Sequence, residues 1–211
     1  MVKHTEIFKR YSLFFVSLIL IGIGIAFTKH AGLGVSPVSS VANVISIKFT
    51  ALSFGTWTIA SNLFFVVAQI LILRCKFKLF QFVQIPLAFL IGTFTDLGLM
   101  IASLFSNEAY WQKLVLLPIG NFILALGVVC SVKANVLLNS PEAFVKTVAE
   151  TLGKEFSSAK LCFDIVWVLI AIILSLSFFG KPEGVREGTL ISAIMVGFFV
   201  KLINRLNRKG G

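Results

Sequence analysis

Two short stretches of the chain place a lysine just ahead of a Ser-Pro pair: Lys29 before Ser36 and Pro37, and Lys133 before Ser140 and Pro141. Lys, Ser and Pro match between the two stretches at one offset of 104 residues. Ser-Pro is a helix-start signal, with Ser as cap and Pro at the first helical position, where its missing N–H costs nothing. Helices are therefore predicted to begin at Pro37 and Pro141. Each would present free N–H groups and the positive end of its dipole, an arrangement that attracts an anionic group. With Lys29 and Lys133 adding full charges, the chemistry implied is the binding of a small anionic or zwitterionic molecule. Two snorkelling lysines and two ordinary helix caps are the plainer alternative.

The apolar runs hold a few further polar groups. An ionisable residue inside a membrane span costs roughly 2.5–3.5 kcal/mol on insertion scales, so it tends to face a cavity or a partner. Asp96, with Thr93 and Thr95 nearby, and Asp164, four residues past Lys160, meet this description. Either can carry a coupling proton, balance Lys29 or Lys133, or simply tie helices together. Asn62 and Asn121 suit substrate binding or interhelical hydrogen bonding equally. The candidate binding set is Lys29, Ser36, Asn62, Asp96, Lys133, Ser140 and Asp164. No nucleophile–base pair, metal cluster or phosphate loop is evident: His4 and His30 are far apart, and Cys75, Cys130 and Cys162 are widely spaced. Neither an enzyme nor a metal or cofactor is expected.

The elements that must position these residues follow from composition. The chain is 57% hydrophobic and 13% charged with a mean hydropathy of +0.97, against roughly 45–50% apolar and 25% charged in soluble domains. A net charge of +10 would suggest nucleic acid in a soluble protein. Here the charge lies in clusters between apolar runs, at Lys3/Lys9/Arg10, Arg74/Lys76/Lys78 and Lys201/Arg205/Arg208/Lys209, as topogenic signals do. Nucleic acid is not an expected partner; the lipid bilayer is. Five runs are long enough to cross it: Tyr11–Thr28, read as an uncleaved first span, Gly55–Leu73, Phe80–Phe105, Leu114–Val132 and Leu161–Gly180. A sixth, Gly188–Leu206, contains Lys201 near its end. Six crossings leave fourteen Lys and Arg on one side and five (29, 48, 113, 181, 186) on the other, so both termini are expected in the cytoplasm.

Ser36–Thr50 and Ser140–Lys154 are too short to span and are predicted to be re-entrant or interfacial. In the first, Ser36, Ser39, Ser40, Asn43 and Ser46 form a neutral polar stripe that can line a path. In the second, Glu142, Lys146 and Glu150 stand at i, i+4 spacing and read as surface ion pairs. Glycines 22, 24, 92, 127 and 197 read as close-packing sites.

Each half, residues 1–106 and 107–211, then holds three spans and one Ser-Pro segment. Asn62 in one matches Asp164 in the other, and Gly92-Thr-Phe94 matches Gly197-Phe-Phe199. An odd number of spans per repeat forces the halves to be inverted. The predicted fold is an all-α polytopic membrane bundle, six transmembrane helices in two inverted repeats, each with a broken or re-entrant helix. The predicted function is secondary transport of a small anionic or zwitterionic metabolite, with homo-oligomerisation admitted. A substrate-binding subunit of a multi-subunit importer, docking through Gly22 to Ala26, and a non-transporting accessory protein are the alternatives.

Gly22-Ile-Gly-Ile-Ala26, Ala31-Gly-Leu-Gly-Val-Ser-Pro37, Phe54-Gly-Thr-Trp57, Asn62 and Ile91-Gly-Thr-Phe-Thr-Asp96 together resemble the YitT/YczE group of bacterial integral membrane proteins. The resemblance covers nearly the whole chain and is strongest in its first half. It implies a bacterial plasma-membrane protein and supplies no binding residues. The second half departs where Glu142 follows Pro141.

Overall fold

A computed structural model of the chain describes residues 2–209, with side chains described over 6–206. The side chains of Lys3, Arg208 and Lys209, which enter the charge reading, and of His4, which enters the metal reading, lie outside the described residues. Eight α-helices are present among the described residues: α1 (Val2–His30), α2 (Ser40–Lys48), α3 (Phe54–Leu73), α4 (Gln84–Ala102), α5 (Tyr110–Ala134), α6 (Ser140–Leu152), α7 (Phe156–Phe179) and α8 (Glu187–Lys209). Six of them, all but α2 and α6, are long and apolar enough to cross a membrane. That marks a multi-pass membrane protein, because only helices or closed barrels satisfy their backbone groups within lipid. Outward residues of α7 and α8 such as Ile165, Leu169, Ile173, Ile194 and Phe198 are exposed, as a lipid-facing surface requires.

Helix ends follow local chemistry. Ser53 caps α3, its Oγ accepting from Thr56 N–H at 3.0 Å, and left-handed Gly153 and Gly180 end α6 and α7. The short helices begin differently from expectation. Pro37–Ser39 is a 3-10 turn, α2 starts only at Ser40, and the Ser36 hydroxyl makes no capping bond. In the second half the cap position is Asn139 and α6 includes Ser140, so the helix starts one residue earlier than the Ser-Pro signal suggests.

Helices α1 and α5 form the centre and run antiparallel. A Cβ on Gly24 would lie 2.5 Å from Leu124 N, one on Gly120 2.7 Å from Thr28 N, and one on Gly127 2.8 Å from Ile21 N. Arg10, near the start of α1, donates through Nε to Ala134 O at the end of α5 at 2.9 Å. Backbones this close need glycine, which lets dispersion act where lipid offers no hydrophobic gain. Helix α4 covers α1 through Gly22 and Gly98, and α3 meets α4 where Gly55 and Gly92 touch. Helix α8 packs on α5, and both α2 and α6 lie against α3 and α7. Among the described residues, no comparable packing joins α7 to α8.

Candidate functional site

The first break in the helical chain lies deep in the bundle. Ala31 to Ser36 run without helix, and Ala31, Leu33 and Val35 are fully buried. Such backbone is tolerated at membrane depth only where protein covers it and takes its hydrogen bonds; Gly188 N–H donates to Leu33 O at 2.9 Å. Gly34 has φ +116°, and a Cβ there would fall 2.4 Å from Thr189 Oγ1, so conformation and close approach both require glycine. Trp167 Nε1 donates to Val38 O at 3.0 Å. Trp167 is the twelfth of the 24 residues of α7, which sets the Ser36–Pro37 turn about halfway along that helix.

The second break follows left-handed Asn135 at the end of α5. Gln69 Nε2 donates to Ser140 O at 3.3 Å and to Gln84 Oε1 at 3.0 Å, tying α6 to α3 and α4. Four rings, Phe65, Phe144, Phe163 and Trp167, pack with centroids from 4.8 Å to 5.7 Å apart. They hold α6 between α3 and α7.

Between the two turns is a cavity of about 430 Å³, the size of a small-molecule site. Ser36 and Pro37 line it from one break, Asn139 and Pro141 from the other, and α1, α5 and α8 supply an apolar wall. Its ionisable lining groups are Glu142, Lys160 and Asp164. Lys160 and Asp164, one turn apart on α7, form an ion pair with side chains 26% and 24% exposed. Glu142 as a residue is half-buried, but its Oε2 is fully covered and no protein donor reaches it. Burial pushes the Glu142 carboxyl above the usual carboxylate range, opposed by the positive charge of Lys160 and by the residue's own N–H. Asn139 Oδ1 and Ser192 Oγ are likewise buried without a partner. These three account for three of the five such atoms found among the described residues, and all three residues line this cavity. Buried polar atoms are nearly always paired, so their grouping on one cavity points to a polar ligand.

The residues expected from the sequence divide. Ser36, Asn62 and Asp164 line the cavity. Ser140 is buried beside it with its carbonyl held by Gln69. Lys29 does not reach it: its Nζ donates to Asn43 Oδ1 at 2.6 Å and Ser46 Oγ at 2.8 Å, and lies 4.5 Å from the centroid of the Phe54 ring. That also occupies the polar stripe of the first short helix, since Asn43 Nδ2 donates to Gly184 O at 2.7 Å. Asp96 accepts from Gly55 N–H at 2.7 Å and from the Ser53 hydroxyl, bracing the start of α3. Lys133 is exposed.

Glu142, Asn139, Lys160 and Ser192 were not among the sequence candidates. Glu142 is not part of a surface ion-pair row: Lys146 pairs with Glu150 at 3.8 Å on the exposed face, while Glu142 turns inward. Its position directly after Ser-Pro was the available signal, since a first-turn residue shares the depth of the break.

Compared with known proteins, the chain matches one family model over residues 8–205, described as a family of unknown function (DUF6198). No curated protein and no solved structure matches it.

Proposed function

The chain belongs to this family of unknown function, and we propose that it is a secondary transporter for a small zwitterionic metabolite, bound in the cavity between the two Ser-Pro turns. The observation that carries the reading is that Asn139, Glu142 and Ser192, each with a buried and unpartnered polar atom, all line that one cavity. A wholly anionic substrate is disfavoured. Lys29 spends its donors on Asn43 and Ser46, Lys133 is exposed, and Lys160 shares its charge with Asp164. A zwitterion, with no net charge, needs no unshared cation: its cationic end can meet Glu142 and its anionic end can share Lys160 with Asp164.

Alternating access between inverted repeats is the accompanying mechanism. It is supported by the antiparallel α1 and α5 and by the way α2 and α6 each lie against both α3 and α7. The matched pairs Asn62 with Asp164 and Pro37 with Pro141 all line the cavity, which adds to that support. The charge distribution favours both termini in the cytoplasm; the Ala31–Pro37 and Ile91–Asp96 motifs favour a relation to the YitT/YczE group, and that resemblance implies a bacterial plasma membrane. The importer-subunit alternative loses its docking surface, because Gly22 abuts Phe94 and Ala26 is fully buried.

Liposomes containing the purified protein should exchange radiolabelled small zwitterions. A Glu142→Ala/Asp164→Asn double variant, reconstituted at equal yield, should exchange them at least tenfold more slowly. Equal rates would rule out this cavity as the site.

A further inference from the structure

Resting on the transport reading, we infer that Asn139 and Glu142 form a subsite for the substrate's ammonium group, and that Glu142 exchanges that group for a proton. The two side chains stand three residues apart around the start of α6. Each presents an acceptor oxygen, Asn139 Oδ1 and Glu142 Oε2, buried and unreached by any protein donor. Both residues line the largely apolar cavity, so a small rotation of either side chain brings its unpaired acceptor to a ligand rich in donors, and an ammonium group offers three.

Charge selects the same partner. The elements packed against α6 are α3 and α7. From α7, Lys160 and Asp164 line the cavity with Glu142 and largely cancel one another. From α3, Thr58, Ser61 and Asn62 line the cavity and none titrates; on α6 itself, Lys146 is engaged with Glu150 at the surface. Ser36, Ser39 and Ser192 contribute only hydroxyls to the lining. Counting side chains, an ionised Glu142 therefore leaves the cavity one negative charge in excess, more than the roughly half positive charge of the α6 N-terminus offsets, and a proton or an ammonium group can neutralise it but not both together.

The exchange step balances. When the ammonium enters, the O–H bond of the neutral Glu142 carboxyl breaks, its proton passes to water, and the carboxylate pairs with the cation. When the ammonium leaves on the other side, a proton from water re-forms the O–H bond. One proton moves against each substrate.

The probes are n-butylammonium and its anionic counterpart butyrate, used on the full chain in detergent with thermal unfolding as readout. Butylammonium should raise the unfolding temperature and butyrate should not. The concentration of butylammonium needed should rise about tenfold for each pH unit below the Glu142 titration. Glu142→Gln, which keeps the shape and removes the titration, should abolish the shift and its pH dependence, while Lys146→Gln leaves both unchanged. In ligand-free protein, the infrared band of a protonated carboxyl should vanish in Glu142→Gln and survive in Asp164→Asn. Equal stabilisation by butyrate, or a butylammonium shift that persists in Glu142→Gln, would overturn the inference. Zwitterion exchange that is pH-independent and unaffected by Glu142→Gln would overturn it while leaving the transport reading intact. Butylammonium binding without any solute exchange would instead remove the transport reading and leave the subsite.

Discussion

Lys29, Asp96 and Glu142 are three ionisable residues in an apolar chain, and the fold treats only two of them as structure. Lys29 gives hydrogen bonds to Asn43 and Ser46 on α2, so it fastens the outer part of the broken element to α1. Lys29→Met would remove both bonds, each worth on average about 0.6 kcal/mol between membrane helices, and expose a polar pair to apolar neighbours. A loss of about 1–2 kcal/mol is expected in reversible unfolding in detergent, with butylammonium binding retained. Asp96 accepts from the Gly55 N–H and the Ser53 hydroxyl, which makes it a brace for the α3 start. Asp96→Ala should cost about 0.5–2 kcal/mol, as lost caps do. Glu142 has no such internal partner at Oε2, and burial raises its carboxyl above the ordinary range. The folded protein thus holds a proton that the unfolded chain has already released. Between the ordinary carboxylate value and the raised one, stability falls as pH rises. Glu142→Gln should flatten that part of the stability–pH curve, whereas a slope unchanged in the variant would assign it to another group.

At the scale of elements, glycine positions decide where helices can meet. A Cβ on Gly92 would sit 2.3 Å from Ile59 Cγ1 and 2.6 Å from Gly55 O. Part of that contact is backbone and cannot yield, so Gly92→Ala should destabilise by about 1–3 kcal/mol, checked by the denaturant midpoint in micelles. The close-packing role of glycines 22, 24, 92 and 127 was legible in the sequence, and so were all six long helices. Apolar runs of that length have no alternative in lipid, and their ends fall within a few residues of the caps that stop them. The exception is α1, which continues back to Val2, past the exposed charges of Glu6, Lys9 and Arg10 that hydropathy does not register as part of a span. The two short helices were legible as elements but not in their starts, because Ser36 leads into a 3-10 turn and Asn139 takes the capping place. The site was half legible. Ser36, Asn62 and Asp164 announced themselves as polar residues in apolar surroundings. Glu142 was disguised by the i, i+4 row it shares with Lys146 and Glu150, since spacing along one helix does not reveal which residue faces a neighbouring helix. Nothing in the sequence marks Ser192: a lone serine in an apolar helix becomes distinctive only when α8 turns it toward the same cavity.

For the molecule as a whole, the two halves are alike in order but not in closure. In the first half α4 is seated on α3 at Gly55 and Gly92. In the second, α7 and α8 have no comparable packing, and Gly197, which matches Gly92, lines the cavity with nothing within 4 Å of where its Cβ would be. If the proposed inverted repeats alternate access, they must exchange such arrangements. The opposite state would then have α8 seated on α7 at Gly197 and α4 parted from α3 at Gly92. On the proposed alternating-access mechanism, Gly197→Leu bears differently on the two states. In the state described here the side chain enters the open space of the cavity, so the unfolding midpoint should stay near that of the parent chain. In the opposite state it would hold α8 off α7, so zwitterion exchange in liposomes should fall at least tenfold. Exchange at the parent rate would mean that α7 and α8 never close at this point, and that the asymmetry between the halves is a fixed feature of the bundle.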